Sequence, residues 1–138
     1  MKSISIAGTQ APAIIQGCMR IDAMSVNELE ELIHQDLKLG INFFDHADIY
    51  GKGVCEELFG KVLKAQPSLR KDMLIQSKCG IHRSETTHYD FSRDYILRCV
   101  DASLERLQCG YLDYLLLHRP DALMDPLEVA QAFDALYT

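Results

Sequence analysis

Short apolar stretches, each followed by an amphipathic helical pattern, recur along the chain at a spacing of about 30 residues, the size of a parallel βαβ unit. These stretches begin near Ala13, Ile41, Met73 and Tyr111. Strands that alternate with helices form parallel sheets, because the helix carries the chain back to the starting edge. The sequence therefore predicts an α/β fold that contains four βα units.

The second, third and fourth predicted strands each end in an ionisable side chain. These residues are Asp45, Lys78 and His118, and Tyr50 lies in the loop that follows Asp45. Parallel α/β sheets, open or closed, place their active sites at the carboxyl ends of the strands. We therefore predict that these four side chains meet in one catalytic site.

Carbonyl reduction is a reaction that suits these side chains. Tyr50 can donate a proton to a developing alkoxide, but an unperturbed phenol has a pKa of about 10 and donates reluctantly near neutrality. A neighbouring ammonium favours the phenolate, so Lys78 is predicted to assist while Asp45 holds it in position. His118 would orient the carbonyl oxygen or share the proton relay, depending on its protonation state. No side chain supplies a hydride, so a cofactor is required.

Residues 40–51, GINFFDHADIYG, resemble the signature segment of the aldo-keto reductases. The catalytic tetrad of that family is an Asp that ends the second barrel strand, a Tyr just after it, a Lys that ends the third strand and a His that ends the fourth. The matching residues are Asp45, Tyr50, Lys78 and His118. Residues 76–81 and 117–121 resemble a bacterial branch of the family, and the resemblance runs from about Ala13 to the final residue.

The resemblance implies a (β/α)8 TIM barrel that uses NADPH, or NADH as the alternative, to reduce aldehydes or ketones. It implies that Gly17, Cys18, Met19 and Asp45 contact the cofactor and that His118 contacts the substrate. The glycines form no G-x-G-x-x-G pattern after a strand, which also favours a barrel over an open dinucleotide-binding sheet.

A complete barrel of this kind needs roughly 250 residues, whereas the chain has 138. We therefore expect residues 1–138 to form the N-terminal half of the barrel, with the chain stopping in the fourth helix. The half alone is expected to lack normal NADPH turnover, because the main cofactor contacts of the family lie in the other half. Its exposed strand edges and inner face would be covered by further residues, which we favour, or by a second copy of the chain.

Composition excludes several other classes of protein. The formal net charge of -6 and the lack of a Lys/Arg cluster in the sequence argue against nucleic-acid binding. Apolar runs are too short for a membrane span, and the first residues show no signal-peptide core, so we expect a cytoplasmic protein. The five cysteines are odd in number and form no C-x-x-C pair, which favours reduced structural thiols over disulfides or a zinc site.

Two alternative functions remain open from the sequence. One is a reductase-like regulatory or binding subunit without turnover. The other is a metal-dependent hydrolase on a similar barrel, because Asp45, His46 and Asp48 place three potential ligands within four residues. Strand alternation points His46 away from Asp45, and further ligands would be needed, so the metal site is disfavoured.

Local signals predict where the helices and loops begin and end. The predicted helix starts are capped by Ser25 with Glu28, by Ser92 and by Asp125, and the predicted ends are Gly40, Pro67 and Gly110. Residues 2–6 are predicted to form a short hairpin strand at the bottom of a barrel, followed by a turn at residues 8–10. Residues 79–90 are predicted to be a loop that is long for a βα connection, either an ordinary surface loop, which we favour, or one that borders a substrate pocket.

Overall fold

The computed structural model describes residues 1–83 and 86–137 and has a four-stranded parallel sheet at its centre. The strands are β1 (Ser3–Ile6), β2 (Thr9–Pro12), β3 (Gln16–Gly17), β4 (Phe43–Asp45), β5 (Leu74–Cys79), β6 (Ile81–Arg83), β7 (Thr87–Tyr89) and β8 (Tyr114–Leu117). The α-helices are α1 (Val26–Leu39), α2 (Val54–Ala65), α3 (Arg93–Leu107) and α4 (Pro126–Tyr137). Short 3-10 turns occupy Ile21–Ala23, Tyr50–Gly53 and Pro67–Asp72.

The central sheet has the strand order β3-β4-β5-β8, and each adjacent pair is parallel. The predicted alternation of strands and helices is therefore confirmed. The register pairs Gly17 with Asp45 and Asp45 with Gln76, so the carboxyl ends of neighbouring strands lie at one edge.

The first strand of this sheet is shorter than predicted. The prediction placed it from Ala13 onwards, but β3 contains only Gln16 and Gly17. These two residues are the ones that pair with β4, which is itself three residues long. Ile14 and Ile15 precede the strand and are exposed. An apolar run thus marked the position of the strand but overstated its length.

The third and fourth strands of the sheet also differ from their predicted bounds. β8 begins at Tyr114 rather than near Tyr111, because the Asp113 carboxylate accepts a hydrogen bond from the Ile75 amide at 2.8 Å. The Ile75 amide on β5 therefore bonds to a side chain at this point instead of to a backbone carbonyl of the neighbouring strand. β5 continues to Cys79, so Lys78 is the next-to-last residue of the strand rather than its end.

The predicted caps of α1 and α4 are confirmed. Ser25 Oγ accepts a hydrogen bond from the Glu28 amide at 3.3 Å, and the Glu28 carboxylate accepts one from the Ser25 amide at 2.7 Å. Gly40 ends α1 with φ 81°. Asp125 Oδ1 accepts from the Leu127 amide at 2.9 Å at the start of α4.

The helix α3 departs from its prediction at both ends. It ends at Leu107, before Gly110, because Gln108 adopts a left-handed conformation with φ 52°. Ser92 occupies the predicted cap position, but its side chain caps no amide in the described chain. Asp90 Oδ1 instead accepts from the Ser92 amide at 2.9 Å. None of the described helices is both long and apolar enough to cross a lipid bilayer.

Two hairpins lie at opposite ends of the sheet. The predicted N-terminal hairpin is present as β1 and β2, although Thr9 and Gln10, which were assigned to the turn, belong to β2. The Tyr114 hydroxyl at the start of β8 donates to the Ile6 carbonyl at 3.0 Å. Residues 79–90 were wrongly predicted to be an ordinary loop. Their described part contains the antiparallel pair β6–β7, in which His82 lies opposite His88. This second hairpin directly follows β5 and stands beside the carboxyl edge of the sheet.

The two faces of β5 have different environments. Ile75, Ser77 and Cys79 are buried on the side of the helices, whereas Gln76 and Lys78 are only partly buried on the other side. The main core packs α1 and α2 against the sheet through residues such as Phe44, Phe59 and Ile75. Because successive side chains of a strand alternate, this core on one face directs Lys78 to the opposite face.

Candidate active site

Asp45 and Lys78 form an ion pair at the carboxyl edge of the sheet. Asp45 lies opposite Gln76, and Lys78 is two residues further along β5 on the same face as Gln76. Lys78 Nζ is 2.8 Å from Asp45 Oδ1 and 2.9 Å from Oδ2. The side chains are 13% and 24% exposed, so the pair is largely shielded from water. Asp45 therefore makes the contact through which it was predicted to hold the lysine in position.

Each of the three hydrogens of the Lys78 ammonium has an acceptor. Besides the Asp45 carboxylate, Nζ donates to the His46 carbonyl and to the Tyr50 hydroxyl oxygen, each at 2.8 Å. An ammonium cannot accept a hydrogen bond, so the Tyr50 oxygen is the acceptor. The hydroxyl hydrogen of Tyr50 consequently remains available for a different acceptor.

A tight turn after β4 brings Tyr50 back over the strand ends. The Tyr50 amide donates to the Ala47 carbonyl at 3.1 Å, and Gly51 and Gly53 then adopt φ values of 56° and 94°. Glycine adopts this left-handed region at little cost. A Cβ added at Gly51 would lie 3.2 Å from Cys55 Sγ, so the turn also packs closely on α2.

His118 follows β8 and faces Tyr50. Its amide donates to the Cys79 carbonyl at 2.9 Å, and its ring meets the Tyr50 ring edge-on, with centroids 5.9 Å apart. Burial lowers the pKa of His118, and the nearby charges of Lys78 and Arg119 lower it further. The imidazole is therefore neutral near neutral pH and has one donor and one acceptor nitrogen. The buried Nδ1 has no hydrogen-bond partner among the described residues.

Gln76 also belongs to the site, although the sequence analysis did not single it out. Its side-chain amide donates to Asp45 Oδ1, alongside the Lys78 ammonium. Two donors thus fix the orientation of the carboxylate. The signal was present in the sequence, because Gln76 precedes Lys78 by two residues and so lies on the same strand face.

Behind the site, a buried carboxylate connects β5 to α2 and α3. Glu56 is fully buried and accepts a hydrogen bond from the Ser77 hydroxyl at 2.6 Å. Arg106 Nε donates to the same carboxylate at 2.8 Å, and another nitrogen of Arg106 lies 2.7 Å from it. Ser77 directly precedes Lys78, so this network anchors the strand that carries the lysine. No sequence pattern indicated the pair, whose members are 50 residues apart.

The loop after β3 holds the residues predicted to contact the cofactor. The Cys18 amide donates to the Asp45 carbonyl at 2.9 Å, so the loop adjoins the site. A Cβ added to Gly17 would meet no described heavy atom within 4 Å, and Met19 is 50% exposed. The Cys18 thiol, in contrast, is buried, and burial raises its pKa. The surface beside Asp45 is therefore open at Gly17 and Met19 and closed at the Cys18 side chain.

This open surface fits the nicotinamide end of a dinucleotide cofactor. Tyr50 can give a proton to an oxygen atom, but neither it nor Lys78 nor His118 can give a hydride. A carbonyl reduction at this site would therefore need a hydride carrier next to it. The uncovered backbone at Gly17, opposite Asp45, provides room at that point.

The structure does not bring Asp45, His46 and Asp48 together as a metal site. His46 is fully buried on the helix side with its ring 4.5 Å from that of Phe59, and burial lowers its pKa to about 3. Asp45 binds Lys78 on the other face. Among the described residues, no three His, Cys, Asp or Glu side chains are grouped so that they could hold a metal ion. The described residues therefore provide no ligand set for the hydrolase alternative.

A sequence model described as the aldo/keto reductase family matches residues 13–138. The chain belongs to the aldo/keto reductase family. The four residues that this aldo/keto reductase chain was predicted to bring together, Asp45, Tyr50, Lys78 and His118, do lie together at the carboxyl edge of its sheet. The predicted barrel type is also confirmed, since the four parallel βα units form part of an aldo/keto reductase (β/α)8 barrel.

Relatives of this aldo/keto reductase chain are found among bacterial proteins. It is 43% identical to the uncharacterized oxidoreductase YcsN of Bacillus subtilis over 99% of the chain and 49% of that protein. It is 48% identical to the oxidoreductase YdhF of Escherichia coli over 83% of the chain and 40% of that protein. A solved aldo-keto reductase of Bacillus halodurans, in its holo form, superposes with a TM-score of 0.81 at 31% identity, covering 99% of this chain and 46% of that one. The chain spans about half the length of the relatives it matches.

Proposed function

We propose that the whole protein is a cytoplasmic, NADPH-dependent oxidoreductase that reduces aldehydes or ketones to alcohols. The observation that carries this proposal is the hydrogen bond from Lys78 Nζ to Tyr50 Oη at 2.8 Å. It occupies the phenol oxygen as an acceptor and leaves the phenol hydrogen for the carbonyl oxygen of a substrate. The oxidoreductase names of the relatives support the same reaction class.

In this proposal, each residue of the site has its own role in the reaction. Tyr50 gives its proton to the carbonyl oxygen as negative charge develops there, and the Lys78 ammonium stabilises the phenolate that remains. Asp45 and Gln76 keep that ammonium in place. His118, neutral and facing Tyr50, donates a hydrogen bond that orients the carbonyl oxygen. Water later returns a proton to Tyr50.

Gly17, Met19, the Cys18 backbone and Asp45 would hold the nicotinamide end of the cofactor. When bound, NADPH supplies the hydride that completes the reduction. The preference for NADPH over NADH is part of the proposal and follows the family resemblance. Parallel assays with the two dinucleotides test it, and faster turnover with NADH would reverse it.

The proton-donor role is tested by Tyr50→Phe in the full-length protein. General-acid catalysis contributes a factor of about 10² to 10⁴, so kcat for an aldehyde such as 4-nitrobenzaldehyde should fall at least about 100-fold. Fluorescence titration should show unchanged NADPH affinity, because the aromatic ring remains. Tyr137→Phe removes a hydroxyl from a residue that is 95% exposed and should behave as wild type.

A Tyr50→Phe variant with most of its turnover would remove Tyr50 from the acid role. Lys78→Met should lower turnover and change the pH–rate profile, since the phenolate loses its stabilising charge. A native protein that binds NADPH but reduces no carbonyl compound would instead favour the regulatory-subunit alternative.

A further inference from the structure

A cleft of about 1110 Å³ opens beside the site. Its walls are the β6–β7 hairpin, one side of α3 and the turn after β4. His118 lines this cleft and its ring also meets that of Tyr50, so the cleft borders the site at His118. Ligand pockets in proteins typically measure about 300–1,000 Å³, so there is room for a substituent well beyond the carbonyl.

Basic side chains are concentrated around this cleft. They are Lys52, Arg83, Arg98, Arg106 and Arg119. Arg106 is paired with Glu56, but the other four form no ion pair with any residue in the described ranges. Because the whole chain carries a formal net charge of -6, this local excess of positive charge runs against its composition.

Among the described residues, little negative charge lies in the cleft to neutralise these cations. Asp48 is the carboxylate among the described residues that line the cleft, and burial and the nearby Glu56 carboxylate raise its pKa to about 6. The buried Nδ1 of His82, also in the cleft wall, has no described hydrogen-bond partner. Its ring lies 5.5 Å from that of Tyr95, over which the Arg98 guanidinium is placed at 5.9 Å. The cleft thus offers cationic groups and an unused ring nitrogen to a ligand.

We propose that this cleft is an oxyanion subsite that selects carbonyl substrates bearing a carboxylate or a phosphate ester away from the reacting group. The inference rests on the proposed function and specifies its substrate class. Clustered charges of one sign in a cleft raise the local concentration of an oppositely charged ligand. Arginine also matches the planar geometry of carboxylates and phosphates through paired N–H donors.

Substrate pairs that differ in charge test the proposal in the full-length protein. The carboxylate pair is 4-carboxybenzaldehyde and its methyl ester, and the phosphate pair is glyceraldehyde 3-phosphate and glyceraldehyde. We expect kcat/KM to be higher for the anionic member of at least one pair. Arg98→Gln and Lys52→Gln should each lower the anionic-to-neutral ratio of that pair at least tenfold. Lys71→Gln, which removes an exposed cation at the amino end of β5, should keep the wild-type ratio.

A binding measurement separates failure of the subsite from failure of the proposed function. Calorimetric titration with acetate and with inorganic phosphate needs no turnover, and it should show binding that Arg98→Gln weakens at least tenfold. Anion binding without carbonyl reduction would contradict the proposed function and leave the subsite standing. Unchanged substrate ratios in both variants, or a rise in the KM for NADPH in place of a change in those ratios, would overturn the subsite.

Discussion

Gly60→Ala is the substitution for which packing and helix propensity predict opposite results. Gly60 lies in the middle of α2, where alanine is favoured over glycine by about 1 kcal/mol. The added Cβ, however, would lie 2.0 Å from the Arg106 carbonyl oxygen and 2.9 Å from the Leu107 carbonyl carbon. These are backbone atoms of α3, so no change of side-chain rotamer can relieve the overlap.

The expected loss follows from these two opposing effects. Overpacking of a filled core costs about 1–3 kcal/mol, and a collision with backbone belongs at or above the upper end of that range. Subtracting the propensity gain of about 1 kcal/mol leaves a net loss of about 2 kcal/mol or more in the free energy of unfolding. The helices α2 and α3 must move apart to accept the methyl group.

Urea unfolding of the full-length protein, followed by circular dichroism, measures this loss as a lower midpoint. The matched control is Gly110→Ala, since a Cβ there meets no described heavy atom within 4 Å and Gly110 has no positive φ. That variant should be neutral or slightly more stable, because alanine restricts the unfolded chain. A Gly60→Ala protein as stable as wild type, or more stable, would refute the close approach of α2 and α3.

Two further predictions follow from buried groups. The pKa of His46 is about 3 in the folded protein, against 6.5 in the unfolded chain. Between pH 6.5 and about pH 3 the unfolded state therefore binds more protons than the folded state. The free energy of unfolding consequently falls as the pH drops through this range, by up to about 1.4 kcal/mol per pH unit. Unfolding curves of His46→Leu should therefore decline less steeply than wild type between about pH 6 and pH 4, and parallel declines would contradict the assignment. Among the thiols, a hydrogen bond from Cys79 lowers the pKa of Cys99, whereas burial raises that of the similarly half-buried Cys109. Peptide mass spectrometry should find Cys99 alkylated by iodoacetamide before Cys109, and equal labelling rates would count against the thiol pair.

Features that depend on near neighbours in the sequence were predictable. The Ser25–Glu28 box and the Asp125 cap form between residues two or three positions apart, so the sequence contains both partners of each hydrogen bond. The positions of the strands were equally readable from their apolar content. Their lengths were not, because the extent of β3 is set by its pairing with β4, which no local pattern encodes.

In the site, too, some features were predictable from nearby residues in the sequence, whereas others depend on contacts between residues that are far apart in it. Asp45, Lys78 and His118 were found because parallel strands bring their carboxyl ends to one edge whatever the details of packing. The Glu56–Arg106 pair was missed, since it depends on how α2 and α3 meet across 50 residues of sequence. The β6–β7 pair was missed for a related reason, because its segment has no strong alternation and is stabilised by the pairing of two short strands.

The close approach at Gly60 and the position of Lys78 are connected through described contacts. Gly60 permits the close approach of α2 and α3, and Arg106 on α3 pairs with Glu56 on α2 at that separation. Glu56 in turn accepts the Ser77 hydroxyl, next to Lys78. Separating the helices should therefore loosen β5 and reduce turnover together with stability. If Gly60→Ala lost stability but kept full turnover, the apolar core alone would be sufficient to hold Lys78 in place.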